Sequence, residues 1–418
     1  MKRGQGGASP GQHAHGHASA PTLLVFTEHF NATYSISFEL PLRHLHGQGR
    51  VNFSAYSQAE VAAAGRRGWQ AWVRACRPRT VVFSRYGRGD GVEIMEYCCR
   101  LGIAVVYHID DDLLELPASL GPEVLRRHMA PEVVQARRAL LAGCDLVYAS
   151  TPELARVLGQ RFPAQRIFHG IYAPYLQTRA LPCDPQAPAT IGYMGSRGHK
   201  EDLALAVPAL VRLMHERPQL RFETFGTIEM PADLAPFGGR VRHHEAHAGY
   251  AQFLQALGTL DWHVGLAPLV DEPFNRCKAP TKFIEYTGAA IPVVASAVVY
   301  ADAVPPSCGL LVAGDWYGAL AHSLDDPAAR GQRLESARAH CRDVFDLEVL
   351  ARQVLHATVE LPPAPRRPPR PPLGRQIGDW LQDLGRRVLP AGRKGAPPSL
   401  VDNRHSRAAA QATMPRHP

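Results

Sequence analysis

The sequence lacks any long apolar run. No segment approaches the ~18 consecutive apolar residues that a transmembrane helix needs. Residues 1–21 contain basic side chains but no apolar stretch of the kind found in secretory signal peptides. These absences predict a cytoplasmic protein without a membrane span, and we expect residues 1–20 to be a disordered leader.

Cysteine is present, but without the spacing of a metal site. The eight cysteines include no repeated Cys-x-x-Cys pair. Cys98 and Cys99 are adjacent on a predicted helix, where a disulfide between them fits poorly. Because no secretion signal is recognisable, we expect reduced thiols rather than a disulfide framework.

Most of the chain also lacks an excess of basic charge, although its net charge is +8. Residues 361–418 contain eleven Lys and Arg against three Asp, which accounts for the whole net charge. Residues 1–360 are therefore neutral. A nucleic-acid-binding protein needs a basic face to contact phosphates, so this balance argues against a nucleic-acid partner.

The C-terminal segment 361–418 is rich in proline and arginine, a composition that favours neither helix nor strand. Within it, residues 377–388 place apolar side chains on one face of a short amphipathic helix flanked by arginines. This basic tail predicts peripheral contact with an anionic membrane surface on the cytoplasmic side. The alternatives are a helix that docks on the protein body and a tail that stays disordered.

Short β-branched segments alternate with helical patterns through the rest of the chain, as is typical of parallel α/β domains. Residues 180–189 contain three prolines and are predicted to be a linker. We therefore predict an α/β protein with two Rossmann-like, doubly wound domains, 21–179 and 190–360, that face a cleft. The predicted strands are 22–26, 51–55, 80–84, 103–107, 145–149, 166–168, 190–193, 221–225, 240–243, 263–267, 292–295 and 309–312.

The most informative segment is FNRCKAPTKFIEYTGAAIPVVAS, residues 274–296. Arg276, Lys278 and Lys282 bring three positive charges to a loop and a helix start, where free N–H groups also favour an anion. Glu285 lies on the same helix face as Lys282, and its carboxylate can accept hydroxyl groups of a ribose or a hexose. The segment predicts a site for a diphosphate joined to sugars. The alternative is a solvated basic loop in which Glu285 pairs with Lys282.

The pattern Lys278-x3-Lys282-Phe-x-Glu285-Tyr, followed by GAAIPVVAS, resembles the donor-binding region of family-4-like, retaining GT-B glycosyltransferases. Members of that family usually carry two glutamates separated by seven residues. Glu285 matches the second, and the resemblance implies that it holds the nucleotide ribose. Cys277 occupies the position of the first glutamate, which the family uses to contact the donor hexose.

Further segments resemble the same family in the same order, and together they cover roughly residues 80–350. The segment IGYMGSRGHKEDL, residues 191–203, is similar to the family's glycine-rich phosphate-binding turn. The similarity implies that Arg197, His199 and Lys200 also bind the donor. A backbone N–H cradle beside basic side chains gives this a physical basis.

An acidic run follows the strand predicted at 103–107, and its place at the carboxyl end of a strand predicts the catalytic neighbourhood. We predict His108, Asp110 and Asp111 as catalytic residues. The resemblance implies front-face attack, in which the carboxylates orient the acceptor and no metal is required. Two alternatives are a D-x-D metal-diphosphate site of the GT-A type, which would hold Mg²⁺ or Mn²⁺, and a helix N-cap.

The segment 28–34 follows the first predicted strand at its carboxyl end, where an acceptor-binding loop is expected. We predict Asn31 and Tyr34 as acceptor contacts. The overall prediction is a glycosyltransferase with a nucleotide sugar as co-substrate, no bound cofactor, and a glycan, lipid-linked or protein acceptor. The alternatives are a nucleotide-sugar epimerase with a GT-B-like fold and a non-catalytic sugar-nucleotide-binding scaffold.

Overall fold

The computed structural model describes residues 12–14, 20–184, 186–245 and 249–360. These residues form two β-sheets with helices packed against both faces of each sheet. Among the described helices, none is long and apolar enough to cross a membrane. The predicted amphipathic helix at 377–388 lies outside the described residues, as does most of the predicted leader.

The first sheet has seven strands in the order β1-β3-β2-β4-β5-β6-β7. All neighbours are parallel except β1, which runs antiparallel to β3. The strands are β1 (Gln12–Ala14), β2 (Thr22–Thr27), β3 (Asn52–Ser57), β4 (Thr80–Ser84), β5 (Ala104–Ile109), β6 (Leu146–Ala149) and β7 (Ile167–His169).

The second sheet has six parallel strands in the order β10-β9-β8-β11-β12-β13. Both sheets therefore have the doubly wound arrangement, in which the strand order reverses once, between β2 and β4 and between β8 and β11. The strands are β8 (Thr190–Gly195), β9 (Arg221–Gly226), β10 (Val241–Glu245), β11 (Val264–Ala267), β12 (Val293–Ser296) and β13 (Leu310–Val312).

Helices cover both faces of each sheet, which is why the central strands are apolar on both sides. They are α1 (Ala32–Tyr34), a π-helical turn (Ser35–Glu39), α2 (Leu40–Gly47), α3 (Gln58–Cys76), α4 (Gly89–Arg100), α5 (Pro122–His128), α6 (Pro131–Gly143), α7 (Pro152–Arg161), α8 (Lys200–Ala204), α9 (Val207–Glu216), α10 (Tyr250–Thr259), α11 (Pro273–Arg276), α12 (Thr281–Gly288), α13 (Trp316–Asp325), α14 (Pro327–Val344) and α15 (Leu347–Thr358). Short 3₁₀ turns occur at Ala118–Leu120, Arg197–His199 and Ala232–Arg240.

The last described helix, α15, packs on the first sheet. Its Leu350 and Val354 are buried in the same core as Val25 and Val82 of β2 and β4. Beyond it, Arg79 donates a 2.7 Å hydrogen bond to the carbonyl oxygen of Val359. The sequence assigns this segment to the second domain, but its core contacts are with the first.

The fold class is confirmed, and all twelve predicted strands are present with ends within two residues of their predicted positions. Residues 200–216 form two helices, α8 and α9, rather than one. Pro208 explains the break, because it lacks the N–H of a continuous helix and its ring clashes with the preceding turn.

One further difference concerns the predicted leader. Residues Gln12–Ala14 pair with Phe53, Ser54 and Ala55 of β3 and add a strand to the edge of the first sheet. An edge strand presents unpaired N–H and C=O groups, so any extended neighbouring segment can bond to it. Backbone pairing of this kind leaves little trace in the side-chain pattern.

Candidate active site

Most of the predicted site residues lie in the segments that follow strands at the carboxyl ends of the two sheets, on either side of the reversals in strand order. In the first sheet these are the segments after β2 and β5, and His108 lies within β5 itself. In the second sheet they are the segments after β8 and β11, including the first turns of the helices that follow. Ligands of doubly wound sheets bind in the crevice at such switch points.

Asp110 is the centre of a polar cluster at the end of the first sheet. Its carboxylate accepts hydrogen bonds from Arg85 at 2.8 and 3.0 Å, from the Thr33 hydroxyl at 3.0 Å and from the Tyr172 hydroxyl at 3.2 Å. Burial alone would raise the pKa of Asp110, but the charge of Arg85, with His108 and the Thr33 hydrogen bond, lowers it below its ordinary value. Asp110 is therefore a buried, ionised acceptor.

Arg85 connects three carboxylates. Besides Asp110, it contacts Glu28 at 3.2 Å and Asp111 at 3.4 Å. Its backbone is left-handed, with a φ of 55°, which is unusual for a residue with a Cβ. Burial disfavours its charge, yet the carboxylates raise its pKa above the ordinary value, so the guanidinium stays charged.

Glu28 is held from its other side by Arg137, whose side chain is fully buried. The guanidinium of Arg137 lies 3.4 Å from Glu28 and donates to the carbonyl oxygens of Leu113 and His128. Burial lowers the pKa of His128 to about 4, despite the nearby Glu28 carboxylate. The ring is therefore neutral near pH 7, and Arg137 is the charged partner that anchors Glu28.

Asp111 is more open than its neighbours, with 28% of its side chain exposed. Its partial burial and the adjacent Asp110 raise its pKa, while Arg85 and Lys278 oppose that rise. Lys278 belongs to the loop after β11, so the charge of a second-sheet residue acts on an acid of the first sheet. The two halves of the candidate site are thus electrostatically coupled.

Asp112 has a different role. Its carboxylate pairs with Arg161 at 2.6 Å and accepts the backbone N–H of Leu114 at 3.3 Å. Asp110 and Asp112 therefore bind different arginines rather than sharing one ligand position. Among residues 12–14, 20–184, 186–245 and 249–360, no group of three or more His, Cys, Asp or Glu has the geometry to hold a metal ion.

His108 lies in the core rather than at the surface of the cleft. Its ring is 1% exposed, contacts Ser84 at 3.1 Å, and packs edge-on against Phe38 and Tyr148 at centroid distances of 5.0 and 5.2 Å. Burial lowers its pKa to about 4, against the opposing effect of Asp110. The structure thus places a neutral His108 behind the acidic cluster.

The predicted acceptor loop, residues 28–34, contacts the polar cluster around Asp110 through Thr33 rather than through Asn31 or Tyr34. Asn31 is exposed and caps α1 by accepting the backbone N–H of Tyr34 at 3.2 Å. Tyr34 itself is completely buried in the core beneath the loop. Thr33, between them, is the residue that bonds Asp110.

Four of the predicted donor residues lie together at the end of the second sheet. Lys278, Lys282 and Glu285 are half-buried. The positive charge of Lys282 makes the largest contribution to the pKa shift of His199. That charge, with burial, lowers the pKa of His199 to about 3. Burial and the charge of Lys278 lower the pKa of Lys282 to about 8. The charge of Lys278 thus disfavours the charge of Lys282, and both lysines lie beside a neutral His199 ring, so an anion bound between the two lysines would be stabilised.

Asp202, which is not among the predicted site residues, organises this basic cluster. Its carboxylate contacts His199 at 2.7 Å and accepts the backbone N–H of Val270 at 2.8 Å and the side-chain N–H of Asn275 at 3.2 Å. The glycine-rich turn and the loop after β11 are thereby joined. Because the acid lies on Nδ1, the Nε2 atom of His199 donates a hydrogen bond only when the ring is protonated.

Glu285 lies at the far side of the basic cluster, on α12. Burial raises its pKa to about 7, although the Tyr250 hydroxyl and Lys282 both favour its ionised form. A carboxylate held near its titration point in a cleft is a good candidate for binding hydroxyl groups.

The remaining predicted donor residues lie further out. Arg276 is exposed and pairs with Asp271 at 2.5 Å. Arg197 and Lys200 are also exposed, and Arg197 is 4.0 Å from Glu229. Arg197 lines a cavity of about 500 Å³ at the carboxyl ends of β9 and β10. The cavity is also lined by Gly226, Thr227, Ile228, Glu229, Met230, His243 and Glu245.

The two halves of the site touch directly. The Thr151 hydroxyl, in the loop after β6, donates a 2.8 Å hydrogen bond to the carbonyl oxygen of Cys277. A Cβ on Gly198 would lie 3.0 Å from Leu120 of the first-sheet loop, so the absence of a side chain permits this close approach. The basic cluster is therefore adjacent to the acidic one.

No family model matches the chain, and a search of curated proteins gives no match. Solved structures do resemble it. WaaG, a glycosyltransferase involved in lipopolysaccharide biosynthesis, aligns with a TM-score of 0.56 at 15% identity, over 81% of this chain and 99% of its own. An α,α-trehalose-phosphate synthase (UDP-forming) from Burkholderia vietnamiensis gives 0.52 at 12%, over 82% and 99%.

TarM gives a TM-score of 0.49 at 12% identity, over 66% of this chain, which spans about half (54%) of TarM. The likeness to WaaG and to the trehalose-phosphate synthase identifies the two-sheet arrangement as the GT-B fold, as the sequence predicts. At these identities the similarity establishes the fold alone, because one fold can carry many different chemistries.

Proposed function

We propose that this chain is a glycosyltransferase that moves a sugar from a nucleotide-sugar donor to a hydroxyl of a glycan or lipid-linked acceptor. The observation that carries the proposal is the position of the basic cluster of Lys278, Lys282 and His199 beside the acidic pair Asp110 and Asp111. One half suits a diphosphate and the other suits a hydroxyl, and group transfer requires the two to meet.

The donor would bind with its diphosphate between Lys278 and Lys282. The lowered pKa of Lys282, caused by burial and by the charge of Lys278, supports that position, because two phosphate charges would relieve the repulsion between the two lysines. They would also favour the protonated ring of His199, whose Nε2 could then donate to phosphate. Glu285 would accept hydroxyl groups of the nucleotide ribose.

The nucleobase would occupy the cavity of about 500 Å³ at the ends of β9 and β10. This cavity begins at Arg197, in the same turn as His199, so a ligand anchored at the basic cluster can extend into it. The cavity offers carboxylate, imidazole and hydroxyl groups as hydrogen-bond partners for the base.

Transfer would proceed with retention, by attack on the same face of the sugar that the diphosphate leaves. A bond forms from the acceptor oxygen to C1 of the sugar while the bond from C1 to the phosphate oxygen breaks. The electron pair of that bond remains on the phosphate oxygen, which also receives the hydroxyl proton. Lys278 and Lys282 would stabilise the developing phosphate charge, so the reaction would not require a metal.

Thermal shifts with UDP-, GDP-, ADP- and dTDP-sugars test the proposal. A ligand at about 100 times its Kd adds about 2.7 kcal/mol to the stability of the folded protein. We expect one nucleotide class to raise the melting temperature of the wild type but not of Lys282→Ala. The proposal fails if no nucleotide sugar stabilises the wild-type protein, or if both proteins respond equally.

A further inference from the structure

The two carboxylates of the acidic pair have unequal surroundings. Asp110 is 7% exposed, and its oxygens accept hydrogen bonds from Arg85, Thr33 and Tyr172. Asp111 is 28% exposed and meets Arg85 at 3.4 Å. Only Asp111 therefore retains room for another hydrogen-bond donor.

We propose that Arg85 is a positioning residue that holds Asp110 as a fixed support and presents Asp111 to the acceptor hydroxyl. The proposal rests on the function proposed above and assigns different roles to the two acids. Asp111 would accept a hydrogen bond from the hydroxyl as the acceptor binds and so orient its oxygen toward the sugar. As the bond from C1 to the phosphate oxygen breaks, the hydroxyl proton would pass to that phosphate oxygen, and Asp111 would stay ionised. Asp110 would not touch the substrate.

The backbone of Arg85 supports this role. A non-glycine residue in the left-handed region is strained, and such strain persists only where surrounding contacts enforce it. Here the N–H of Arg85 donates a 3.0 Å hydrogen bond to the carbonyl oxygen of His108, which ties the end of β4 to the end of β5. The guanidinium then reaches Glu28 and both acids of the pair at once.

A second ion pair fixes the guanidinium of Arg85 in place. Glu28 is 6% exposed and lies between Arg85 and the fully buried Arg137. A planar guanidinium with several fixed N–H directions can bridge three carboxylates, whereas the ammonium of a lysine acts as a single point charge. The chain Arg137–Glu28–Arg85 thus determines where the acidic pair points.

Asp111 also occupies the position that a hydroxyl-orienting group needs. The charge of Lys278, which would bind the donor diphosphate, acts on Asp111 from the opposite sheet. A hydroxyl bonded to Asp111 would therefore lie close to the phosphate that leaves. The charged or titratable groups that interact with Asp111 are Asp110, Arg85, Lys278, Tyr172 and Cys277.

Four variants test the inference: Asp110→Asn, Asp111→Asn, Arg85→Gln and Arg85→Lys. Each is compared with the wild type for donor Kd, for turnover in donor hydrolysis with water as acceptor, and for folding by circular dichroism. We expect Asp111→Asn to keep its melting temperature and donor Kd while turnover falls about 100-fold, the cost of a misplaced reactant. Asp110→Asn should lower the melting temperature as well.

Carbon-13 NMR titration of the aspartate carboxyls supplies a readout that needs no substrate. The Asp111 signal is identified by its loss in Asp111→Asn. In Arg85→Gln its midpoint should rise by about 1–3 pH units, because an opposite charge has been removed. Arg85→Lys should restore most of that midpoint but not the turnover, since the charge remains while the fork geometry is lost.

The inference is overturned if the Asp111 midpoint is unchanged in Arg85→Gln, or if Asp111→Asn retains wild-type turnover while a folded Asp110→Asn loses it. Failure of the proposed function gives a different result. In that case no nucleotide sugar binds the wild type, and the NMR titration still decides whether Arg85 controls Asp111.

Discussion

The hydroxyl of Thr151 donates a 2.8 Å hydrogen bond to the carbonyl oxygen of Cys277, and this bond joins a loop of the first sheet to the donor loop of the second. Thr151 also accepts the N–H of Leu154 and so caps α7. One side chain therefore links a helix start to the segment that carries Lys278. The sulfur of Cys277 is buried in the core of the first sheet rather than in the cleft.

That placement leads to the first prediction, for Cys277→Glu. The substitution restores the glutamate pattern of the family that the sequence resembles, but the side chain would enter a site that is 1% exposed and near Asp112 and Glu153. An unpaired buried charge beside other acids is costly. We expect a loss of more than about 3 kcal/mol in the free energy of unfolding, measured by urea denaturation.

Cys277→Ala is the matched control, since it removes the thiol without adding a charge. Its free energy of unfolding should fall by much less than that of Cys277→Glu. If Cys277→Glu is as stable as the wild type and binds a nucleotide sugar more tightly, the position belongs to the donor pocket, and its burial here does not describe the bound state.

The sequence predicts which side chains lie together when the residues are close along the chain, but not when they come from distant segments. Lys282 and Glu285 are three residues apart on one helix, so their common face follows from helical periodicity alone. Asp110, by contrast, is surrounded by Thr33, Arg85 and Tyr172, which come from three separate parts of the chain. No spacing connects those residues until the sheet brings its strand ends together.

Some helices are hard to predict for similar reasons. The sequence pattern does not single out α14, whose interior contacts come from Leu334, Ala337 and Cys341 in an otherwise polar helix. A local signal did exist for α3, because Ser57 and Glu60 form a reciprocal capping box at its start. Arg85 directly follows the strand predicted at 80–84. Its position at the carboxyl end of a strand is the clue that the sequence gives to its place in the site.

The second prediction concerns the donor contacts of α12. Glu285→Gln and Lys282→Ala should each weaken binding of the nucleotide sugar by about 1.5–3 kcal/mol, roughly 10- to 150-fold, because each removes a charge-assisted contact. Isothermal titration calorimetry measures the change. Lys200→Ala, an exposed lysine at the start of α8, is the control for charge alone and should have a smaller effect. Equal affinities in all three variants would contradict the assignment of the diphosphate to this cluster.

The third prediction is that donor hydrolysis continues in EDTA. Asp110 and Asp112 are held by Arg85 and Arg161 respectively, so a metal ion would have to displace two different arginines to use both acids. The lysines of the basic cluster would supply the positive charge instead. Turnover is measured before and after chelation and again with added Mn²⁺. Loss on chelation with recovery by Mn²⁺ would favour the D-x-D metal interpretation.

The fourth prediction is a narrow pH range for donor binding. Lys282 has a pKa of about 8 in the free protein, below its ordinary value, so its charge is present below pH 8 and is lost as the pH rises through that value. Glu285 has a pKa of about 7, above its ordinary value, so its carboxylate is ionised above pH 7 and protonates as the pH falls. Affinity should therefore be highest between about pH 7 and pH 8.

Two variants test separately the acidic limb of that pH profile, where affinity falls below pH 7, and the alkaline limb, where affinity falls above pH 8. The diphosphate diester of the donor does not titrate in this range, so it contributes to neither limb. Glu285→Gln should remove the acidic limb, since the amide carries no titrating proton. Lys282→Arg should keep its charge at alkaline pH and flatten the other limb. Calorimetry in buffers of different ionisation enthalpy should also detect proton uptake by Lys282 when the diphosphate binds near pH 8. An affinity that stays constant from pH 6 to pH 9 would show that neither group contacts the donor.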